Sequence, residues 1–545
     1  MYTNRKILPK ETINNISSIL EKYKIRWCIK FENNFDSKIY SVHLELSDFA
    51  GVGSNGKGVS REEALASGLA ELMERIQSGI FFGNRYGIFD FDSNERRLTL
   101  DNLSDFNCAD AEYKSIENNT PAHFNERKIN LQCQSNGVAS GNTLKEAIIQ
   151  GSCELFERFA IGEIFNNSEK CNLIDRSAIK NADLSTRLQL FENNGFSVNV
   201  IDATLQNRLP VLMLLIIDKS HGNYRYSFGS AISFNGALER CITEIVQGIS
   251  EDKLKTRTNS FSIEKELHNN SNYIYRSSDV LYEIDIDWIF KLEAIHKLPS
   301  VFKNTSSQEE EYQELLSIFK NIDSKFYYKD MSYLGFPTVR VYSPNFAELL
   351  YLTDKDFNKI TKSKELIPYL VNLPKLNEDE LKWLVEKLEL LSKDSIFSGK
   401  KLLDGMFKVY SSQKVDLCEI NIDYIIMTIY MQLENWIKAL SAFNDFVDDH
   451  KMLKNNILFR TLKIYISSKL QNIPEEEIYD HCKLLVGSEA NDYIYMIFSK
   501  RDFLNMIYYP SCPDCEICKY MSSCKKNEWL RIKKLIVSKK DNCII

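Results

Sequence analysis

Three stretches of this chain set oxygen-bearing side chains three residues apart: Glu71 and Glu74 in KGVSREEALASGLAELMER, Glu154 and Glu157 in SGNTLKEAIIQGSCELFER, and Glu244 with Gln247 in AISFNGALERCITEIVQ. On a helix, residues i and i+3 project from one face, so each stretch would present a pair of oxygen donors. A single pair of this kind is ordinarily a solvated helix face. Here the first two stretches superpose at a constant offset, with Glu63 over Glu146, Ala64 over Ala147, Gly68 over Gly151, Glu71 over Glu154, Glu74 over Glu157 and Arg75 over Arg158. The third aligns Ala237 and Glu244 with the same alanine and first acid, and Gln247 replaces the second acid. Neighbouring carboxylates repel, so a pair that recurs is best explained by convergence on cations. Carboxylates plus a carboxamide suit magnesium, a hard ion that favours oxygen ligands, and phosphate oxygens completing its coordination would give a metal-bridged triphosphate site.

Such a site needs helices to carry the pairs and turns to bring them together. Ser60-x-x-Glu63 and Thr143-x-x-Glu146 are capping-box signatures, so the first two motifs sit inside helices that begin there. One turn before each first acid, on the same face, stand Ser67, Gln150 and Arg240. The lead-ins GVGSNGKG and SNGVASGNT are glycine-bearing loops whose backbones can approach an anion closely, although no Gly-x-x-x-x-Gly-Lys-Ser/Thr phosphate loop occurs. IYSVHLEL, FSVNVIDA, PVLMLLIID and FPTVRVYS read as strands alternating with helical segments, which predicts an α/β (α+β) architecture over residues 1–345. Beyond about residue 370 the pattern turns to Leu-, Lys- and Glu-rich helices such as EDELKWLVEKLELLSK and YIIMTIYMQLENWIKALSAFNDFVDDHK. A second, all-helical domain over 346–510 follows, with helix-hairpin repeats suggested around MQLENWIKALSAF.

Composition bounds the function class. With 545 residues the chain has room for two or three domains, and its 44% apolar and 26% charged content is that of a globular protein. A formal net charge of -7 gives no basic footprint for nucleic acid. The longest apolar run, Val211 to Ile217, is too short to span a bilayer, and MYTNRKILPK has no hydrophobic signal core, so no membrane role and a cytoplasmic location are expected.

These residues resemble the signatures of the YcaO family: a Ser-x-x-x-Glu-x-x-Glu-Arg helix (Ser67, Glu71, Glu74, Arg75), a Ser-Asn-Gly…Gly-Asn-Thr loop (Ser135 to Thr143) leading into a second Glu-x-x-Glu-Arg helix (Glu154, Glu157, Arg158), and a third helix with Arg240, Glu244 and Gln247. The resemblance covers residues 1 to about 345, and the helical remainder is similar to the tetratricopeptide-like carboxy-terminal domain of stand-alone YcaO proteins of the enterobacterial type. It implies that Glu71, Glu74, Glu154, Glu157, Glu244 and Gln247 bind magnesium and that Ser67, Arg75, Asn142, Arg158 and Arg240 serve ATP. Lys10 and Ser17, in LPKETINNIS, match the family segment that supplies a lysine and a serine to the nucleotide. In VASGN, Ala139 and Ser140 stand in the opposite order from the family pattern. The implied activity is ATP-dependent phosphorylation of a peptide backbone amide, opened to a nucleophile to give an azoline, thioamide or amidine in a ribosomally made peptide or a protein. An accessory or scaffold role in sulfur insertion, such as methylthiolation of a ribosomal protein with the helical domain recruiting partners, is the alternative. Implied partners are a peptide or protein substrate and an E1-like, TfuA-like or methylthiolating protein, and the resemblance allows for a homodimer. The chain ends KKDNCII, without the Pro-x-Pro-x-Pro tail common among azoline-forming members.

Cys512, Cys515, Cys518 and Cys524, in the segment 511–545 that ends in a basic tail, could wrap a zinc ion or an iron-sulfur cluster, most simply in a structural role. The seven histidines show no metal spacing, and His43 in SVHLEL reads as a structural residue. Trp436, at helical spacing among aromatics, reads as core.

Overall fold

The computed structural model describes residues 7–48, 53–79, 110–167, 169–248, 291–349, 353–363, 372–393, 422–449 and 456–487, with single residues and short turns elsewhere. It is an α+β fold whose described elements divide into two compact units, one ending near residue 349 and joined by Arg531, Ile532 and Leu535, the other holding the helices between. Among the described residues no helix is long and apolar enough to cross a membrane.

The first unit opens with α1 (Pro9–Lys22), β1 (Trp27–Phe35), β2 (Ile39–Leu46), β3 (Gly53–Gly58) and α2 (Arg61–Gln77). β4 (Asp110–Ser115), β5 (Pro121–Asn125), α3 (Glu126–Cys133), β6 (Val138–Ser140) and α4 (Leu144–Asn167) follow. Next come β7 (Asn172–Ile174), α5 (Ala182–Asn193), β8 (Phe196–Asp202), β9 (Val211–Asp218), β10 (Tyr224–Ser230) and α6 (Phe234–Glu244). β11 (Glu293–Ile295), α7 (Gln308–Asn321), β12 (Tyr327–Asp330) and β13 (Thr338–Tyr342) complete the unit. The strands form three sheets, ordered β1-β2-β3, β10-β9-β8-β7-β11 and β5-β4-β12-β13-β6. Every pairing is antiparallel except that of β7 with β11.

The four strands read from sequence appear as β2, β8, β9 and β13. The buried β9, whose Val211 to Ile216 are at most 1% exposed, has a continuous apolar run because helices or sheet cover both its faces. α4 is long and apolar on most sides, and it packs on β13, β6, β10 and α7 in one core cluster with Phe156, Phe319, Phe326 and Phe346. α6 packs on β9, β10 and α5 in a second cluster.

The internal repeat is a strand followed by a capped helix, three times over: β3 with α2, β6 with α4, β10 with α6. Ser60 Oγ accepts the Glu63 amide at 3.2 Å, Thr143 Oγ1 the Glu146 amide at 3.1 Å, and Ser233 Oγ the Gly236 amide at 3.1 Å. Both capping glutamates also reach one residue beyond the cap, to the amides of Val59 and Asn142, each at 3.0 Å. Strand and helix touch backbone to backbone. A methyl group at Gly56 would collide with the Ala64 carbonyl and Gly68, and one at Gly229 with the Ala237 carbonyl and Cys241. The third helix differs from expectation, for α6 ends at Glu244 and Gln247 lies in the turn beyond it, closed by Gly248 at φ +74°.

The second unit contains α8 (Asp354–Ser363), α9 (Glu378–Ser392), α10 (Ile422–Gln432), α11 (Trp436–Asp449), α12 (Ile457–Leu470) and α13 (Glu475–Val486). The long helical stretch read from sequence is two antiparallel neighbours, α10 and α11, broken where Glu434 takes a φ of +55°. α11 then packs on α12 and α12 on α13. Ile422 to Met431 of α10 are all buried. Trp436 is half-buried, edge-on to Tyr465 at 5.9 Å and Phe503 at 6.4 Å.

Candidate nucleotide and metal site

The acids of α2 and α4 stand toward one another. Glu74 is pushed well above the ordinary carboxylate range, by burial first and then by the charges of Glu154 and Glu71, against the pull of Arg75 and Arg340. Glu154 is raised to about 7, again chiefly by burial, with Arg158 and Arg240 opposing and Glu157 and Glu71 adding to the rise. Among the described residues, the carboxylates of Glu74, Glu154 and Glu157 form no hydrogen bond or ion pair. The three side chains are half-buried, where carboxylates are normally compensated, which makes them candidate partners for a cation. Among the described residues no group of three or more His, Cys, Asp and Glu side chains is gathered closely enough to hold an ion by itself.

The first and third repeats meet at the free edge of β3. Glu71 pairs with Arg75, whose Nη1 also donates to the Gly53 carbonyl at 3.0 Å. The Asn55 amide donates to Glu71 Oε2 at 3.2 Å, and its carbonyl accepts from Gln247 Nε2 at 3.0 Å. Arg75 is therefore engaged in bracing Glu71. Arg240 Nη1 donates to the Ser230 carbonyl at 2.8 Å, which aims α6's arginine along β10.

Sequence reasoning missed Lys57. Along β3, Ser54, Gly56 and Gly58 face α2, so the pleat turns Asn55 and Lys57 to the other side, where Lys57 pairs with Glu244. Burial, and next the charge of Arg240, lower the Lys57 ammonium to about 8, while Glu157 and Glu71 pull it upward. Lys57 thus lies at the electrostatic centre of all three repeats. The signal available in sequence was the lone lysine in the lead-in SNGKG. Arg340 was missed as well: this buried β13 guanidinium donates from Nη1 to the Gln134 carbonyl at 2.8 Å and acts on Glu74.

Lys10 is exposed and Ser17 half-buried on α1. α1 packs on α2, and Thr12 Oγ1 donates to Asn142 Oδ1 at 2.8 Å, which ties α1 to the loop before α4. Asn142 also approaches Glu146 Oε2 through Nδ2 at 3.3 Å. Ser67 is half-buried on α2, one turn before Glu71, and Arg158 follows Glu157 on α4. Cys512, Cys515, Cys518 and Cys524 lie outside the described residues. His43 lies on β2 opposite Asn55, within hydrogen-bond reach of it.

Residues 116–347 match the family model described as "YcaO cyclodehydratase, ATP-ad Mg2+-binding". The chain is 24% identical over 388 residues to an uncharacterized protein of Haemophilus influenzae, covering 63% of this chain and 65% of that one, just under two thirds of its length. It is 25% identical over 412 residues to the Ribosomal protein S12 methylthiotransferase accessory factor YcaO of Escherichia coli, covering 67% of this chain and 70% of that one. Among solved structures it is similar to YcaO from Methanopyrus kandleri bound with AMPPCP and Mg2+, with a TM-score of 0.44 and 17% identity over 65% of this chain and 96% of that one. It is also similar to a heterocyclase in complex with substrate and cofactor, with a TM-score of 0.45 and 16% identity over 63% of this chain and 53% of that one. The matched segment, residues 116–347, carries the YcaO family's pattern and spans the second and third acid-bearing helices, and the first helix repeats their spacing.

Proposed function

We propose that this chain binds magnesium and ATP between α2, α4 and α6 and uses them, in the cytoplasm, to activate a peptide backbone amide. The observation that carries the reading is the set of half-buried acids, Glu74, Glu154 and Glu157, whose carboxylates have no direct partner among the described residues and feel the charges of Lys57, Arg158 and Arg240. Acids and cations side by side match a polyphosphate carried with its metal: the acids would hold the ion, and the cations the phosphate oxygens. Magnesium, when bound, supplies charge neutralisation for the transferring phosphoryl group.

In the proposed reaction a nucleophile adds to the amide carbon, the amide oxygen takes the γ-phosphoryl group from ATP, and phosphate then leaves with that oxygen. A Cys, Ser or Thr side chain would give an azoline, sulfide a thioamide and an amine an amidine. This chain's residues contribute position and field. Glu71 is fixed by Arg75 and the Asn55 amide, Gln247 by the Asn55 carbonyl, and Arg240 by the Ser230 carbonyl. Preorganised charges of this kind are the main protein contribution to phosphoryl transfer.

Calorimetric titration with a non-hydrolysable ATP analogue tests the reading. Binding should require magnesium, and Glu154→Gln should abolish that requirement together with most of the affinity. Lys57→Met should weaken binding about tenfold or more, the loss expected for one charge-assisted contact. Equal affinity with and without magnesium, unchanged in Glu154→Gln, would remove the basis for the proposal. A second reading, an accessory role in sulfur insertion in which the helical unit recruits a methylthiolating partner, is favoured by the name of the Escherichia coli relative.

A further inference from the structure

The side-chain contact between His43 and Asn55 is unused by the nucleotide reading. Among the described residues β3 is an edge strand, and it is rich in glycine, with Gly53, Gly56 and Gly58. Such a strand has little stiffness of its own. Two candidate metal-binding side chains from different repeats nevertheless rest on one of its residues: Glu71 of α2 accepts the Asn55 amide at 3.2 Å, and Gln247, beyond α6, donates to the Asn55 carbonyl at 3.0 Å. Any rotation of the Asn55 backbone displaces both together.

The Asn55 side chain is held in turn. His43 is its direct cross-strand neighbour in β2, and His43 Nδ1 lies 2.7 Å from Asn55 Oδ1. An amide oxygen only accepts, so Nδ1 carries the hydrogen and donates. The imidazole is itself held by stacking on Phe31 of β1, with ring centres 5.0 Å apart. A chain of contacts therefore runs from β1 through the imidazole and Asn55 to the acids.

We propose that His43 is a positioning residue: by holding the Asn55 carboxamide it fixes the β3 peptide on which Glu71 and Gln247 are aligned. The inference rests on the magnesium nucleotide reading for its consequence, and on hydrogen bonds alone for its geometry. Groups that orient metal-binding side chains typically change metal affinity when removed, with the fold intact.

Three variants test it: His43→Leu, which removes the donor; His43→Gln, which keeps one; and Asn55→Ala, which removes the acceptor. Their side chains are only partly buried on one face of a small sheet, so thermal midpoints close to wild type are expected. Two quantities are measured in the full-length protein, the hydrogen-exchange protection of the backbone amide at position 55 and the magnesium concentration that half-saturates binding of a non-hydrolysable ATP analogue. His43→Leu and Asn55→Ala should lower that protection about tenfold and raise the magnesium midpoint about tenfold, the lower end for an orienting group, and His43→Gln should recover most of both. Unchanged protection and an unchanged midpoint would overturn the inference, as would a uniform loss of thermal stability with no change in magnesium midpoint. A wild-type chain that binds no magnesium nucleotide fails the functional reading instead, and the exchange protection then still decides whether His43 holds this peptide.

Discussion

Glu154 keeps its proton up to about pH 7 because burial, reinforced by Glu157 and Glu71, disfavours its charge more than Arg158 and Arg240 favour it. A metal ion must displace that proton, so magnesium affinity should weaken about tenfold per pH unit below 7, for one proton released per ion. Titrating magnesium and nucleotide at pH 6, 7 and 8 measures the slope. Without magnesium the sign reverses for stability. The folded value lies above the unfolded one of 4.5, so the native state holds a proton that the unfolded chain has lost, and stability should fall as pH rises from about 4.5 to about 7. Denaturant unfolding across that range, with and without magnesium, shows whether the two opposite trends occur. The paired acids were legible in the sequence because they recur at fixed spacing. Lys57 was not, because its place among them depends on which way the β3 pleat turns a single residue.

The elements divide along the same line. Ser60 and Thr143 mark helix starts by local chemistry alone, and the structure forms those caps. Gln247 fell outside its helix because α6 stops at Glu244, an ending set by the turn at Gly248. How α2 is secured to the third sheet could not be read at all. Gln77, fully buried near its end, donates to the Phe336 carbonyl at 2.8 Å and to Thr338 Oγ1 at 2.6 Å, and accepts the Leu334 amide at 2.6 Å. These partners are more than 250 residues away in sequence. Gln77→Leu should cost about 2 to 4 kcal/mol, since it strands a buried amide and a carbonyl that no water replaces. Urea unfolding of the variant reads that loss. A cost below 1 kcal/mol would mean that the contact does not secure α2.

Across the whole molecule, the strands and acid-bearing helices lie in one unit and a run of helix pairs in the other. The chain returns to the first unit near its end, where Arg531 donates to the carbonyls of Tyr23 and Lys24 at 2.7 and 3.0 Å and so closes the end of α1. If the site lies wholly in the first unit, magnesium nucleotide at a hundred times its dissociation constant should stabilise that unit by about 2.7 kcal/mol. Scanning calorimetry would then show one transition moving and the other fixed. The most direct measurement is diffraction from crystals grown with manganese in place of magnesium and a non-hydrolysable ATP analogue. Anomalous peaks within about 2.3 Å of carboxylate oxygens of Glu74, Glu154 and Glu157, bridging to the phosphates, are the predicted result. Manganese and nucleotide bound elsewhere, with these acids still bare, would contradict the account.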